Sequence, residues 1–170
     1  FLLVAAMNPC PCGYLGHPRR ACTCSHRQAE GYSRKISGPL SDRLDLHCRV
    51  AALEPGSWID AGSHPPGLDS ATLRQQVARA RALQAARWGK GVVNSEISPA
   101  LLLEDGSFSR PGLEVLRRVS SRLALSGRGF VRALRVARTV ADLAGLQETG
   151  ETEILEALSY RASPGGSFES

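Results

Sequence analysis

Aromatic side chains make up only 5% of the 170 residues, and no uninterrupted apolar stretch reaches the length of a membrane span. The first shortage argues against a surface that stacks bare bases; the second excludes a transmembrane helix. Methionine occurs once, at position 7, and the chain opens on Phe1 inside an apolar run with no charged segment before it. That start does not fit a secretory signal peptide, and a piece of a longer protein is the expectation. A Gly-x4-Gly-Lys-Ser/Thr phosphate loop is also missing, so the chain by itself is expected not to hydrolyse a nucleoside triphosphate.

What is present is a mildly basic chain with formal charge +5, a sequence pI near 9.3 and 42% hydrophobic residues. That apolar content supports one or two small cores. The charge is compatible with a polyanionic partner without requiring one.

Two stretches read as strands. Phe1-Leu2-Leu3-Val4-Ala5-Ala6 is a continuous apolar run halted by Asn8 and broken by Pro9 and Pro11, the pattern of a strand buried on both faces of a parallel sheet. Leu44 to Val50 alternates apolar and polar residues after a Gly-Pro-led turn or short helix at 36–43 that carries Asp42 and Arg43. Residues 8–35 form a Pro-, Gly-, Cys- and Arg-rich insert, and Glu54 to Leu68 is turn-rich.

From Asp69 onward the periodicity is helical. Ser70 is the expected cap of a helix with Leu73, Val77, Ala80 and Leu83 inward, ending near Gly89. A shorter helix is expected over 96–103. The next starts near Pro111 with Leu113, Leu116, Val119 and Leu123 inward. Ser126 caps a helix over 127–144 with Phe130, Leu134, Ala137 and Ala141 inside, closed by Gly145. The last runs over about 151–162 with Ile154, Leu155 and Leu158 inside, and Glu151 and Glu153 at its positive end.

Three single residues and one group of four cysteines carry candidate chemistry. Asn8, at a strand's carboxyl end, can hold a water through its amide or can simply serve the turn before Pro9. Arg43 can neutralise phosphate charge or pair with Asp42 or Asp45. Arg128 opens a helix on which Arg132, Arg135 and Arg138 follow at helical spacing, and these last three read as a solvated face. Cys10, Cys12, Cys22 and Cys24, in the arrangement C-P-C-x9-C-T-C, fit a structural zinc site, reduced thiols or a disulfide set. His17 and His26 are substitute ligands in the metal reading, and Cys48 reads as a small hydrophobe on a buried strand. Arg74, Arg79, Arg81, Arg87, Arg117, Arg118 and Arg122 make a basic helical surface that could touch phosphates or merely face solvent.

The strand ending Ala-Ala-x-Asn-Pro, the segment Ser-Gly-Pro-Leu-x-Asp-Arg-Leu-Asp-Leu, LSGRGFVRALRVARTVADLAG at 125–145 and EILEALSYRA at 153–162 occur in one order. Together they resemble the later part of an AAA+ ATPase of the magnesium-chelatase-like branch, most closely the YifB/ComM family. The resemblance implies an α/β remnant of an AAA+ core, the last strands of a parallel sheet, at 1–56. A linker at 57–68, an all-α helical lid at 69–163 and a disordered tail at 164–170 would follow. It implies that Asn8 is the sensor-1 amide, Arg43 an arginine finger acting across a subunit interface, and Arg128 the sensor-2 cation. It further implies ATP and Mg²⁺ as cofactors held mostly by residues outside this chain, and a homo-oligomeric ring, expected to be a hexamer. Cytoplasmic location without membrane attachment is expected, as is a DNA branch-migration helicase role in recombination and transformation. Two rivals are a chelatase-type subunit driving magnesium into a porphyrin and a zinc-stapled interaction module without enzymatic activity.

Overall fold

Capping side chains set where the helices begin. The computed structural model describes residues 2–51 and 69–161, so the expected linker at 57–68 and tail at 164–170 lie outside the described residues. In order, α1 (His26–Ser33) and α2 (Gly38–Ser41) precede α3 (Ser70–Trp88) and a 3₁₀ turn (Asn94–Glu96). Then come α4 (Pro99–Glu104), α5 (Arg110–Arg122), α6 (Gly127–Leu143) and α7 (Glu151–Ser159). The hydroxyls of Ser98, Ser109 and Ser126 accept from the amides of Leu101, Gly112 and Gly129 at 3.2, 3.0 and 3.0 Å, so each helix has one of its free N–H groups satisfied. The cap of α3 is Asp69 rather than Ser70: its carboxylate accepts from the Thr72 amide at 2.6 Å. That hydrogen bond holds the Asp69 carboxyl below its ordinary range.

Helix α6 is the central element, packed against α3, α4, α7 and the 3₁₀ turn, while α5 packs on α7. The core consists of Ile97, Leu102, Phe108, Val115, Leu116, Ala133, Leu134, Ala137, Ile154, Ala157 and Leu158. The expected inward residues Leu116, Leu134, Ala137, Ala141, Ile154 and Leu158 are buried. Leu113, Val119, Leu123 and Phe130 are partly buried against them. Leu155 instead points outward, 49% exposed, with Ala157 buried in its stead; residues 154, 157 and 158 are the i, i+3, i+4 stripe that one face allows. On α3, Leu73 and Val77 are 45% and 50% exposed because burial starts only at Ala80, and among the described residues no bundle element covers the first half of the helix.

The two expected strands do not form. Among the described residues the one β pairing is an isolated parallel bridge between Phe108 and Thr149. Leu2, Val4 and Val50 are 89%, 84% and 90% exposed, and Cys48, expected on a buried strand, is exposed as well. A strand exists only where a neighbour takes its backbone hydrogen bonds, and the described chain offers neither segment such a neighbour. Among the described residues, the expected α/β part therefore consists of α1, α2 and irregular backbone.

The expectation for Arg138 is overturned most sharply. It is fully buried rather than solvated. Its Nε and Nη2 donate to Asp142 Oδ1 at 3.2 and 2.8 Å. Nη1 donates to Ser107 O, Gln147 O and Thr149 Oγ1 at 3.2, 3.0 and 3.0 Å, and Nη2 also to Leu146 O at 2.7 Å. Asp142, equally buried, accepts from Arg87 Nη2 at 2.8 Å and from Asn94 Nδ2 at 2.8 Å. Asn94 in turn accepts from Trp88 Nε1 at 2.8 Å. Burial opposes ionisation of Asp142, but the hydrogen bonds from Arg87, Asn94 and Arg138 outweigh it and lower its pKa. Arg135 is also withdrawn from the solvated stripe, donating to Ile97 O at 3.1 and 2.8 Å.

Asp142→Asn should destabilise the bundle by about 3–5 kcal/mol, because it leaves the buried Arg138 without a counter-charge and removes one of the two carboxylates that pair with Arg87; urea unfolding measures this. Since the folded pKa is depressed, Asp142's contribution is complete above its ordinary value of 3.8 and is lost as pH falls through the lower folded value. The wild-type chain should therefore show a steeper acid limb than the Asn variant. Gly112 marks a close approach of α5 and α7: a Cβ there would lie 3.0 Å from Ile154 Cδ1 and 3.2 Å from the Gly150 carbonyl carbon. Gly112→Ala should cost about 1–3 kcal/mol by overpacking and lower the thermal midpoint correspondingly.

Candidate functional site

Two turns bring the four cysteines together. Gly13, at φ +82°, closes the first with its amide on Cys10 O at 3.0 Å, a backbone region that favours glycine. The second ends at Ser25, whose hydroxyl accepts from the Gln28 amide at 3.3 Å and starts α1 immediately after Cys24. The Sγ atoms of Cys10, Cys12, Cys22 and Cys24 all lie within 4.8 Å of one another. Cys10–Cys12, Cys12–Cys22 and Cys10–Cys22 are 3.4, 3.5 and 3.7 Å apart. A zinc–thiolate tetrahedron with bonds of about 2.3 Å has edges of about 3.8 Å, so this donor set fits Zn²⁺. The same separations are too long for sulfur–sulfur bonds, and all five cysteines are free thiols.

The electrostatics of the cluster agree with its geometry. The Tyr14 amide, with that of Thr23, pulls the Cys12 thiol down to about 5 against the effect of burial. Cys22 is drawn down by the Cys24 amide, yet burial and the neighbouring sulfurs push it up to about 12. Four thiolates crowded this closely repel one another, and a cation at their centre reverses the sign of that interaction. The histidines offered as substitute ligands stand apart. His17 Nδ1 accepts from the amides of Arg19 and Arg20, both at 3.1 Å, and His26 is exposed at the start of α1. Arg20 lies 3.9 Å over the Tyr14 ring and donates to its hydroxyl at 2.6 Å, bracing the loop between the cysteine pairs.

Asn8 is exposed beside this cluster, with a Cβ at Gly13 coming to 3.9 Å from its Cγ and Nδ2. Arg43 follows α2, and Arg128 is on α6. No hydrogen bond or ion pair among the described residues joins Asn8 to either of them.

Arg43 follows α2, which Ser37 caps through the Leu40 amide at 3.3 Å. Its side chain is exposed and Nη1 donates to Pro39 O at 2.9 Å. Neither nearby carboxylate is its partner. Asp42 Oδ2 accepts from Ser126 Oγ at 2.6 Å, and Asp42 Oδ1 lies 3.3 Å from Arg161 Nη2. Asp45 is paired with Arg132, and Arg161 Nη1 donates to Leu44 O. The His47 amide donates to Tyr160 O at 2.9 Å. The whole 42–47 segment is thereby docked on the start of α6 and the end of the bundle. Arg128, exposed on the first turn of α6, sits on the helix to which this segment is tied.

Sequence reasoning missed this docking, because its partners are 84 to 119 residues apart and no local pattern links them. It also read Arg132 as solvated, whereas Arg132 holds Asp45.

The model of the magnesium chelatase subunit ChlI C-terminal family matches residues 67–161, and that of the magnesium chelatase subunit ChlI matches residues 1–58. Among curated relatives, the competence protein ComM of Haemophilus influenzae is 37% identical over 163 residues, covering 95% of this chain and 31% of the relative. An uncharacterised Mycobacterium tuberculosis protein is 39% identical over the same share of each chain, and the uncharacterised protein YifB of Escherichia coli 36%. The chain thus spans about a third of the length of the curated relatives it matches. With matches to both ChlI models along most of its length and with ComM and YifB among its relatives, the chain belongs to the magnesium-chelatase-like family, in its YifB/ComM branch.

Proposed function

We propose that this chain forms part of a ring-shaped, homo-oligomeric AAA+ motor, a hexamer, that hydrolyses ATP to move branched DNA during recombination of DNA taken up in transformation. The observation that carries the reading is Arg43. Its guanidinium is exposed on a docked segment whose two carboxylates are paired elsewhere, so it keeps its charge available for a neighbouring subunit. The kinship with a protein named for competence supplies the process.

In this reading Asn8 holds the attacking water through its amide, in line with the γ-phosphate. Arg43 reaches across the interface and neutralises charge on the transferring phosphoryl oxygens. Arg128 binds the nucleotide of its own subunit and reports its state to the bundle. Mg²⁺, held by residues outside this chain, would neutralise phosphate charge. Zn²⁺ held by Cys10, Cys12, Cys22 and Cys24 would fasten the insert next to Asn8 and take no part in hydrolysis.

ATP-dependent branch migration on a synthetic four-way junction, measured with the full-length protein, tests the motor. Arg43→Ala should lower ATP turnover by about 10³–10⁵-fold and abolish junction movement. Arg43-dependent hydrolysis without junction movement would favour a chelatase-type role, which the ChlI match independently suggests. No hydrolysis by wild type would leave an interaction module.

The metal is tested separately. The purified protein should carry one zinc per chain by elemental analysis, and Cys22→Ser should lose it. An aromatic disulfide reagent should modify exposed Cys48 rapidly and the other four only after chelation. Rapid modification of all five in the protein as purified, before any chelation, would refute the zinc site.

A further inference from the structure

The docked segment joins two elements that act at different nucleotide sites in the proposed ring. Asp42 immediately precedes Arg43 in the chain. Its carboxylate is held from two sides: Ser126 Oγ donates to Oδ2 at 2.6 Å, and Arg161 Nη2 lies 3.3 Å from Oδ1. Ser126 is also the cap of α6, accepting from the Gly129 amide at 3.0 Å. The carboxylate therefore sits at the positive end of a 17-residue helix, with a hydroxyl relaying its charge to the first turn. Arg128 is on that turn. Arg161 belongs to the end of the bundle, its side chain 4% exposed, and it also binds the Leu44 carbonyl beyond the finger. Asp45–Arg132 and the His47 amide on Tyr160 O complete the attachment.

We propose that Asp42 is a positioning residue for the arginine finger, tethering Arg43 to the α6 N-terminus so that movement of the bundle in one subunit moves the finger offered to the next. The inference rests on the reading of Arg43 as a finger in trans. Its physical basis is that Arg43 is held only within its own segment, its side chain by Pro39 O and its amide by Leu40 O. Its placement relative to the rest of the subunit comes from Asp42, Leu44, Asp45 and His47. When the first turn of α6 shifts with nucleotide at Arg128, Ser126 shifts with it, and the bond to Asp42 passes that displacement to the residue beside the finger. A misplacement of about 1 Å at a reacting centre costs about 100-fold in rate, so a tether of this kind has a large lever on turnover.

The test uses full-length protein and ATP turnover in mixed rings. Asp42→Ala alone should lower kcat by about 10- to 100-fold and leave KM for ATP within about twofold, with ring assembly intact. Asp42→Asn, which keeps an acceptor for Ser126 and loses the charge facing Arg161, serves if the Ala variant fails to assemble. Each finger-side variant is then mixed with Asn8→Ala subunits, which have a disabled nucleotide site and an intact finger. If Asp42 acts through the finger, the Asp42 variant's sound nucleotide site meets a sound finger at some interfaces, and activity recovers above that of either parent. Arg43→Ala mixed with Asn8→Ala is the control. Recovery in the control without recovery for Asp42 would overturn the tether and leave the finger reading standing. No recovery in the control would remove the trans finger and the tether with it. Undiminished turnover by Asp42→Ala would also overturn the tether.

Discussion

The helical bundle depends on one buried charge pair. Arg138 and Asp142 sit one turn apart on α6, both excluded from solvent, and nearly every hydrogen bond they can make is used. Removing two ions from water is costly, and the cost is offset only when each polar atom finds a partner. Here the guanidinium fastens the loops at 107 and 146–149, and the carboxylate collects Arg87 from α3 and Asn94 from the 3₁₀ turn. The apolar core of α5, α6 and α7 supplies the area; the pair specifies how α3 and the connecting loops are placed on it.

That order matters at the other end of α6. The helix is fixed along its length by the ion pair and the core, and its first turn carries Ser126, Arg128 and the buried Gly129. A rigid helix end next to Asp42 converts the bundle into a platform for the segment that bears Arg43. The cysteine cluster serves a separate purpose, closing the 17 residues between Asn8 and α1, a polar stretch punctuated by proline and glycine with little apolar area to fold around. The candidate chemistry is thus distributed over two anchored regions: Asn8 beside the thiols, Arg43 and Arg128 beside the bundle.

Much of the helical part was legible from local signals. Pro111 and Ser126 announce helix starts because a proline suits the first turn and a hydroxyl cap acts within three residues, and Leu116, Leu134, Ile154 and Leu158 announce the core because helical spacing repeats every turn. The cysteine grouping was legible for the same reason: short spacing within each pair leaves little freedom. The strands were not, since an apolar run states only that a segment wants burial, and the partners that make it a strand lie elsewhere.

By itself the sequence determined the helices from Asp69 onward, the Ser126 cap, most of the buried stripe, the four-thiol cluster and the family kinship, all properties carried by neighbours in the chain or by ordered motifs. Tertiary structure alone decided the fate of the charged residues. Arg128, Arg132, Arg135 and Arg138 share one helical spacing, yet they end respectively in solvent, on Asp45, on the Ile97 carbonyl and inside the core. A guanidinium's role follows from which acceptor a distant segment brings within about 3 Å of it, and spacing along one helix contains no record of that.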